Sequence, residues 1–160
     1  MICQDNNLYI LFSLAEERYA VPVGMVERVV RAVLITRLPA APDWVEGIIT
    51  VNGQAVPVVS LRQRFQLPCR PLQLSDRIMI CRSGQRVLAF TIDQVHEVVF
   101  LPPEKREEAQ GLFPHLEEFI AGTARLADDT LLIYDLDRLL SPEEVANLDS
   151  VLAEHGEMVS

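Results

Sequence analysis

The stretch GIITVNGQAVPVVSL, residues 47–61, contains two apolar segments separated by Asn52-Gly53. Asn and Gly both tolerate a positive φ angle, which two-residue hairpin turns require. Val and Ile are common in strands because their branched side chains pack well on a pleated surface. The stretch therefore predicts a β-hairpin that turns at Asn52-Gly53.

Three further pairs of apolar segments in the chain indicate hairpins of the same kind. They are residues 8–14 with 18–23, residues 77–83 with 86–92, and residues 119–126 with 130–136. Short strands at this close spacing, with turns between them, are typical of closed or nearly closed barrels. The expected fold class is therefore mainly β.

The hairpins of the two halves of the chain also match each other in sequence. The matching blocks are residues 19–30 with 88–99, at an offset of 69, and residues 47–65 with 122–140, at an offset of 75. Gly47 falls on Gly122 in the second match. Two blocks in the same order and at nearly the same offset predict an internal duplication. We place the first repeat at about 8–66 and the second at about 77–140.

Helices are expected to be few, and the clearest one covers residues 141–156. Ser141 is placed as its N-cap, Glu144 completes a capping box, and Gly156 is expected to end the helix. Residues 102–117 are rich in proline and charge, and they predict an exposed connection between the third and fourth hairpins.

Composition and charge argue against several classes of partner. The net charge of −9, from 14 Lys+Arg and 23 Asp+Glu, disfavours nucleic-acid binding, which uses a basic surface. No apolar run approaches the roughly 20 residues that span a bilayer, and the first residues do not resemble a signal peptide. None of the three cysteines lies in a C-x-x-C pair. We therefore expect a cytoplasmic protein without membrane insertion, zinc or disulfides.

The search for catalytic residues yields one pair, Asp135 and Asp137. Two carboxylates could serve acid–base catalysis or bind a divalent cation. However, Asp135 follows a predicted strand and precedes a helical turn, where Asp is a natural N-cap. Its aligned residue in the first repeat is Ser60, another capping residue. We interpret Asp135 as a cap and predict no enzyme activity, no cofactor and no metal site; His96, His115 and His155 are too far apart in sequence to suggest one.

Two features are candidates for binding a partner protein. The first is an apolar set after the repeated strands, which forms core or lines a groove for a partner helix: Val26, Val29, Val30, Val95, Val98 and Val99. The second is Trp44, in a loop between prolines and a glycine. Trp44 is either an exposed anchor for a partner or a buried plug at a barrel end.

Four segments together resemble the CheW family, the adaptor proteins of bacterial chemotaxis arrays. They are ILFSLAEERYAVPVGMVERVV, ITRLPAAPDWVEGIITVNGQAVPVVSLRQRF, DRIMICRSGQRVLAFTIDQVHEVV and IAGTARLADDTLLIYDLDRLL. The resemblance runs from Leu8 to about Leu152. The second segment is the most specific, because its order of proline, aromatic, glycine, hairpin and leucine-arginine is hard to reach by chance.

The resemblance implies two intertwined five-stranded barrels of OB/SH3-like type and no catalytic activity. It implies an adaptor that couples methyl-accepting chemotaxis receptors to the histidine kinase CheA in signal transduction. The receptor's helical cytoplasmic tip would lie in the groove between the barrels, and the regulatory domain of CheA would bind the barrel ends. The protein would be cytoplasmic and near the membrane through its receptors.

The resemblance also assigns residues, and it shows departures from the family pattern. Receptor-side positions would be Val26, Asn52, Ile78 and Val99 or their neighbours, and the structural glycines would be Gly47, Gly53 and their counterpart Gly122. The family tends to place Glu and Arg where this chain has Arg28 and Asn52. These departures leave open a paralogue in a different array, such as one for surface motility. A single-stranded nucleic-acid-binding OB barrel is a weaker alternative, since aromatic residues make up only 6% of the chain.

Overall fold

The computed structural model describes residues 7–39, 41–83, 86–107, 120–126, 129–135 and 142–159. Within these ranges the strands are β1 (Leu8–Leu14), β2 (Glu17–Pro22), β3 (Val26–Arg31), β4 (Val45–Val51), β5 (Gln54–Val59), β6 (Arg77–Ser83), β7 (Arg86–Ile92), β8 (Gln94–Phe100), β9 (Arg106–Glu107), β10 (Ile120–Leu126) and β11 (Asp129–Tyr134). The helices are α1 (Leu61–Arg64) and α2 (Pro142–Val159). The chain is therefore mainly β, as its sequence predicts.

The strands form two sheets, and each sheet contains strands from both halves of the chain. One sheet has the order β8-β1-β2-β11-β10-β9, and the other has the order β3-β6-β7-β5-β4. Strand β8 of the second half pairs with β1 of the first, and β3 of the first half pairs with β6 of the second. The two lobes are thus intertwined, and neither sheet is built from one half alone.

The strand pairing repeats from one sheet to the other at the offsets found in the sequence. Val26 opposite Cys81 corresponds to Val95 opposite Phe12. Gly47 opposite Val58 corresponds to Gly122 opposite Ile133. Ala20 opposite Ile133 corresponds to Ala89 opposite Val58. The register shifts before Gly47 and before Gly122 also correspond. The topology agrees with an internal duplication, while the repeat boundaries given above stay a prediction.

A cluster of aromatic side chains forms the centre of the main core. Phe12, Tyr19, Phe65 and Tyr134 are all buried, and their ring centroids lie 4.7 to 5.7 Å apart. These residues come from β1, β2, the end of α1 and β11. Leu148 of α2 joins the same cluster. Contacts between aromatic rings stabilise a protein beyond the burial of their apolar surface. The cluster therefore helps to hold the two halves of the chain together.

The turn of the β4–β5 hairpin has the expected geometry. Asn52 and Gly53 have φ angles of 51° and 80°, so both central residues lie in the left-handed region. Gly47 has a φ of 149°, and a Cβ atom there would lie 2.2 Å from the carbonyl oxygen of Thr36. Glycine is required at Gly47 because the chain of the preceding loop passes directly over it.

Two elements differ from the sequence-based expectation. The apolar set Val26, Val29, Val30, Val95, Val98 and Val99 does not follow the strands but lies within β3 and β8. The segment after β8 is not wholly exposed, because Leu101 and Pro102 are buried and β9 pairs with β10. Residues 108–119 of that segment lie outside the described residues.

The helices confirm one capping prediction and correct another. Ser60 caps α1, since its hydroxyl accepts a hydrogen bond from the backbone N–H of Gln63 at 3.2 Å. Helix α2 does not end at Gly156 but continues to Val159. A glycine inside a helix costs only about 1 kcal/mol, which does not by itself stop the helix. Ser141, the predicted N-cap of α2, lies outside the described residues.

Candidate protein-binding surface

The residues predicted to bind partners lie mainly on two edge strands. Val26 and Arg28 are on β3, and Val99 is on β8. Each of these strands is the last in its sheet, and the duplication makes their positions equivalent. An edge strand has one side without a hydrogen-bonded neighbour, so it is a natural place for another chain to bind.

Both edge strands expose side chains that a typical core strand would bury. On β8, Val98 and Phe100 are 55% and 51% exposed, while Val99 packs partly against a buried cluster. On β3, Arg28 is exposed and Val26 is half-buried against the main core. Each edge strand therefore offers apolar and polar groups to a partner.

The charges on β3 are arranged differently from the expected pattern. Glu27 forms an ion pair with Arg82 at 2.7 Å, and both side chains are more than a third exposed. The carboxylate of Glu27 is therefore paired with Arg82 and not with its neighbour Arg28. Arg28 is exposed and makes no ion pair within the part of the chain that the structure describes. Its positive charge is available to a partner's carboxylate.

Asn52 is exposed at the tip of the β4–β5 hairpin. Its backbone adopts the left-handed conformation that the turn requires. The family resemblance places opposite charges at positions 28 and 52, and we predict from it that Asn52 lies beside the segment carrying Arg28, at the rim of the inter-lobe groove.

Ile78 is not available to a partner, which corrects its assignment as a contact residue. It is 0% exposed and belongs to a buried apolar cluster. The reason is its strand: β6 lies between β3 and β7, and Ile78 pairs with Val30 on one side and Thr91 on the other. A substitution of Ile78 would therefore affect the packing of the core rather than a contact with a partner.

Trp44 is half-buried, so it is neither a fully exposed anchor nor a buried plug. Part of its ring packs against the main core cluster, and the Arg64 guanidinium carbon lies 5.5 Å from the ring centroid. Arg64 in turn pairs with Glu144 of α2. Trp44 thus links the loop before β4 to α1 and α2, and only the remaining part of its ring can contact a partner.

An ion-pair network that sequence reasoning missed joins the loops at one end of the molecule. Asp93 accepts hydrogen bonds from Arg62 at 2.8 and 3.0 Å, from Arg70 at 2.9 Å and from the backbone N–H of Ala15 at 2.9 Å. Arg70 also donates to Asp76 at 2.7 and 2.9 Å. Nothing in local spacing indicated the partners of Asp93, because Arg70 and Arg62 lie 23 and 31 residues away from it in the sequence.

This network shifts the ionisation of Asp76. Burial alone would raise the pKa of its carboxyl, but the hydrogen bonds from Arg70 and from the backbone N–H of Gln73 outweigh burial, and the pKa is lowered. The same contacts raise the pKa of Arg70. The pair is therefore fully ionised at neutral pH.

The candidate catalytic groups do not come together in a site within the described residues. No group of three or more His, Cys, Asp or Glu side chains there could hold a metal ion. Burial raises the pKa of the Cys81 thiol to about 12, so it stays protonated at neutral pH. Asp135 is half-buried, but Asp137 and the turn that Asp135 was predicted to cap lie outside the described residues.

No helix in the described part of the chain combines the length and apolar character that crossing a membrane would require.

Comparison with known proteins gives one consistent family. A family model described as the CheW-like domain matches residues 8–144. Chemotaxis protein CheW of Klebsiella aerogenes is 28% identical over 148 residues, covering 92% of this chain and 89% of that protein. Protein PilI of Pseudomonas aeruginosa is 24% identical over 112 residues, covering 69% of this chain and 63% of that protein.

A solved structure supports the same relationship at the level of the fold. The scaffolding protein TtCheW from Thermoanaerobacter tengcongensis superposes with a TM-score of 0.80 and 30% sequence identity. The match covers 87% of this chain and 95% of that chain.

Proposed function

The chain belongs to the CheW-like domain family of coupling and scaffold proteins, and from this premise we propose that it is a non-enzymatic adaptor in a bacterial signalling array. Its partners are the cytoplasmic tip of methyl-accepting chemotaxis receptors and the regulatory domain of the histidine kinase CheA. It acts in the cytoplasm, near the membrane through the receptors.

The observation that carries this proposal is the equivalent exposure of β3 and β8. The two edge strands present half-buried or exposed valines, Val26, Val98 and Val99, together with the exposed charge of Arg28. A receptor tip is a helical hairpin, and amphipathic helices bind apolar surfaces through side chains at helical spacing. Two related surfaces on one small protein suit a scaffold that contacts more than one partner.

A second candidate is a CheW-like paralogue in an array with another output, such as surface motility. Two observations favour keeping it. The family resemblance implies Glu and Arg at the two positions where this chain has Arg28 and Asn52, and the chain matches Protein PilI as well as proteins named for chemotaxis. A change of charge at two contact positions is a simple way to select a different receptor or kinase.

The test is titration of the full chain against a receptor-tip fragment and a CheA regulatory-domain fragment encoded in the same genome. We expect both to bind, and the Arg28 and Asn52 variants to show whether the two positions are coupled. Asn52→Arg alone brings like charges together and should not improve binding to a typical receptor–kinase pair. Asn52→Arg with Arg28→Glu restores the family's charge pattern, and it should bind such a pair more tightly by about 1 kcal/mol, the usual contribution of an exposed ion pair.

The control for these variants is Arg125→Glu, a charge reversal at an exposed position on β10. If the single variant binds as well as the double variant, the two positions are not coupled. If neither fragment binds the wild-type chain, the adaptor proposal fails for this receptor and kinase. Binding to fragments from a surface-motility array instead would establish the second candidate.

A further inference from the structure

Each sheet carries a small buried apolar cluster besides the main core, and the duplication makes the two clusters equivalent. The cluster of the five-stranded sheet contains Ile78, with Val30 packed against it. The cluster of the six-stranded sheet contains Tyr9, with Val99 packed against it. Ile78 lies opposite Val30 and Tyr9 lies opposite Val99 in the strand pairing. The two clusters can therefore be compared position by position.

The segment that borders each cluster is also equivalent in the two sheets. Thr36 forms a bridge with Ile48, and the second residue of β9 pairs with Thr123. Ile48 and Thr123 differ by the offset of 75 that relates the repeats. Ile35, which precedes Thr36, is therefore equivalent to Arg106, the first residue of β9.

At this position the two sheets differ in chemistry. Ile35 packs against the apolar cluster of its sheet, and its Cγ2 atom lies 2.8 Å from the point that a Cβ on Gly47 would occupy. Arg106 has a guanidinium instead, whose carbon lies 5.6 Å from the centroid of the Tyr9 ring. A charged group next to buried apolar side chains costs free energy unless a partner compensates it. The question is which partner Arg106 has.

The side chain of Arg106 is held by neutral acceptors. It donates to the Tyr9 hydroxyl at 2.9 Å and to the side-chain oxygen of Asn7 at 3.1 Å. Arg106 forms no ion pair within the described part of the chain, and its buried Nε has no hydrogen-bond partner there. Because a guanidinium has five N–H donors, both a positive charge and unused donors remain.

A cleft of about 260 Å³ lies beside this guanidinium. Its apolar lining residues are Tyr9, Pro103, Ala121, Gly122 and Ile133, and its charged lining residues are Arg106 and Glu107. Pockets for drug-sized ligands have volumes of roughly 300 to 1,000 Å³, so this cleft suits a smaller molecule. An apolar wall with one uncompensated cation matches a small molecule that has an apolar body and an anionic group.

We propose that this cleft binds a small organic monocarboxylate. The carboxylate accepts hydrogen bonds from Arg106, as guanidinium groups commonly donate to carboxylates, and the apolar body packs against Tyr9 and Ile133. Glu107 disfavours a ligand with a second negative charge, because like charges repel each other. The site goes beyond the adaptor function proposed above, because it requires neither a receptor nor a kinase.

The experiment titrates the full chain, labelled with ¹⁵N, with benzoate and separately with benzamide, which has nearly the same shape but no charge. We expect benzoate to shift the backbone amide signals of Arg106 and Gly122 in a saturable manner. Benzamide should bind about tenfold more weakly or worse, because hydrogen bonds to a charged acceptor are stronger. Arg106→Gln keeps a hydrogen-bond donor but removes the charge, and it should weaken benzoate binding to a similar extent. Arg125→Gln, the same change at an exposed position on β10, is the control and should bind like wild type.

A second variant tests the cleft while Arg106 is retained. Ala121 is exposed and lines the cleft, so the larger side chain of Ala121→Leu should occupy part of it. We expect this variant to weaken benzoate binding about tenfold, since the apolar body of the ligand loses its place. Thermal unfolding of each variant checks the fold, and Ala121→Leu should unfold at the wild-type temperature because the site of substitution is exposed.

Several results would overturn the proposal. They are absence of saturable benzoate binding, equal binding of benzamide, and unchanged affinity in Arg106→Gln. An equal loss in Arg125→Gln would show general attraction of benzoate to arginines and would also overturn it. Equal affinity for inorganic phosphate would assign the guanidinium to free anions instead of an organic acid. If Arg106→Gln does not fold, Ala121→Leu decides, and wild-type affinity in that variant would rule the cleft out.

Discussion

At the scale of single residues, Tyr134 packs well through its ring but lacks a hydrogen bond at its hydroxyl within the described residues. Its ring stacks on Phe12, Tyr19 and Phe65, but its hydroxyl is buried and has no hydrogen-bond partner among the residues that the structure describes. Burial raises the pKa of the hydroxyl well above its usual value, so it stays protonated. A buried hydroxyl without a partner costs free energy, because it loses its hydrogen bonds to water.

We therefore predict that Tyr134→Phe raises the free energy of unfolding by about 1 kcal/mol. The ring contacts are kept and only the unpaired hydroxyl is removed. Urea unfolding followed by circular dichroism measures the change. Tyr9→Phe is the matched control with the opposite sign, since the Tyr9 hydroxyl accepts a hydrogen bond from Arg106 at 2.9 Å. A loss of stability in Tyr134→Phe would reveal a partner for the hydroxyl and contradict this reading.

The residues that sequence predicts well are those whose role depends on their immediate neighbours. Asn52 and Gly53 form the expected turn because the conformations that a turn demands are properties of those residue types. Ser60 caps α1 for the same reason. The burial of Ile78 and Tyr134 could not be found this way, because it depends on which strands lie on either side of β6 and β11.

At the scale of elements, the turn before β6 depends on the ion pair of Asp76 with Arg70. Asp76 is buried, and it accepts from Arg70 and from the backbone N–H of Gln73. The pKa of Asp76 is lower in the folded protein than its ordinary value of 3.8. Its contribution to stability is therefore fully present above that ordinary value and is lost as the pH falls through the folded value.

We predict that Asp76→Asn lowers the free energy of unfolding by about 2 kcal/mol at pH 7, the usual size for hydrogen bonds to charged groups. The difference from wild type should shrink as the pH falls below about 4, where the wild-type carboxylate also becomes protonated. Urea unfolding over a pH series measures this. Asp43→Asn, at an exposed position, is the control and should change little. A difference that stays constant at low pH would mean that the charge of Asp76 is not what stabilises the turn.

Strands inside a sheet were predicted from the sequence, whereas the exposed edge strands were not. β6 and β7 were predicted with their observed bounds, because both are continuous runs of apolar and β-branched residues. β3 and β8 were not recognised as strands. Their sequences VERVVR and QVHEVVF carry charges on exposed edges, and the resulting mixed pattern does not alternate as a half-buried strand does.

At the scale of the whole molecule, the exchange of strands between halves decides both the fold and its binding surfaces. β3 has its partner β6 in the other half, and β1 lies between β2 and β8. The two parallel pairs, β2 with β11 and β5 with β7, also cross between halves. The internal repeat was visible in the sequence, but the exchange was expected only from the family resemblance, because similarity between halves does not say which strands pair.

The last prediction concerns this exchange. We expect residues 1–71 and residues 72–160, produced separately, to be largely unfolded by circular dichroism and by proton chemical-shift dispersion. In the first fragment β3 has lost β6, and the aromatic cluster has lost Tyr134. In the second fragment β8 has lost its pairing partner β1, so β8 no longer belongs to a sheet.

Mixing the two fragments should restore the native spectrum, because the pairs of strands that cross between halves form only when both are present. The mixture should unfold cooperatively at a midpoint that rises with fragment concentration, as mass action requires for a bimolecular fold. The control is a mixture in which the first fragment carries Ala20→Asp. Ala20 is 0% exposed and lies opposite Ile133 of the other half, so a buried charge there should prevent assembly. If either fragment alone gives a cooperative transition and a dispersed spectrum, its lobe is an independent folding unit and the exchange of strands is not what stabilises the molecule.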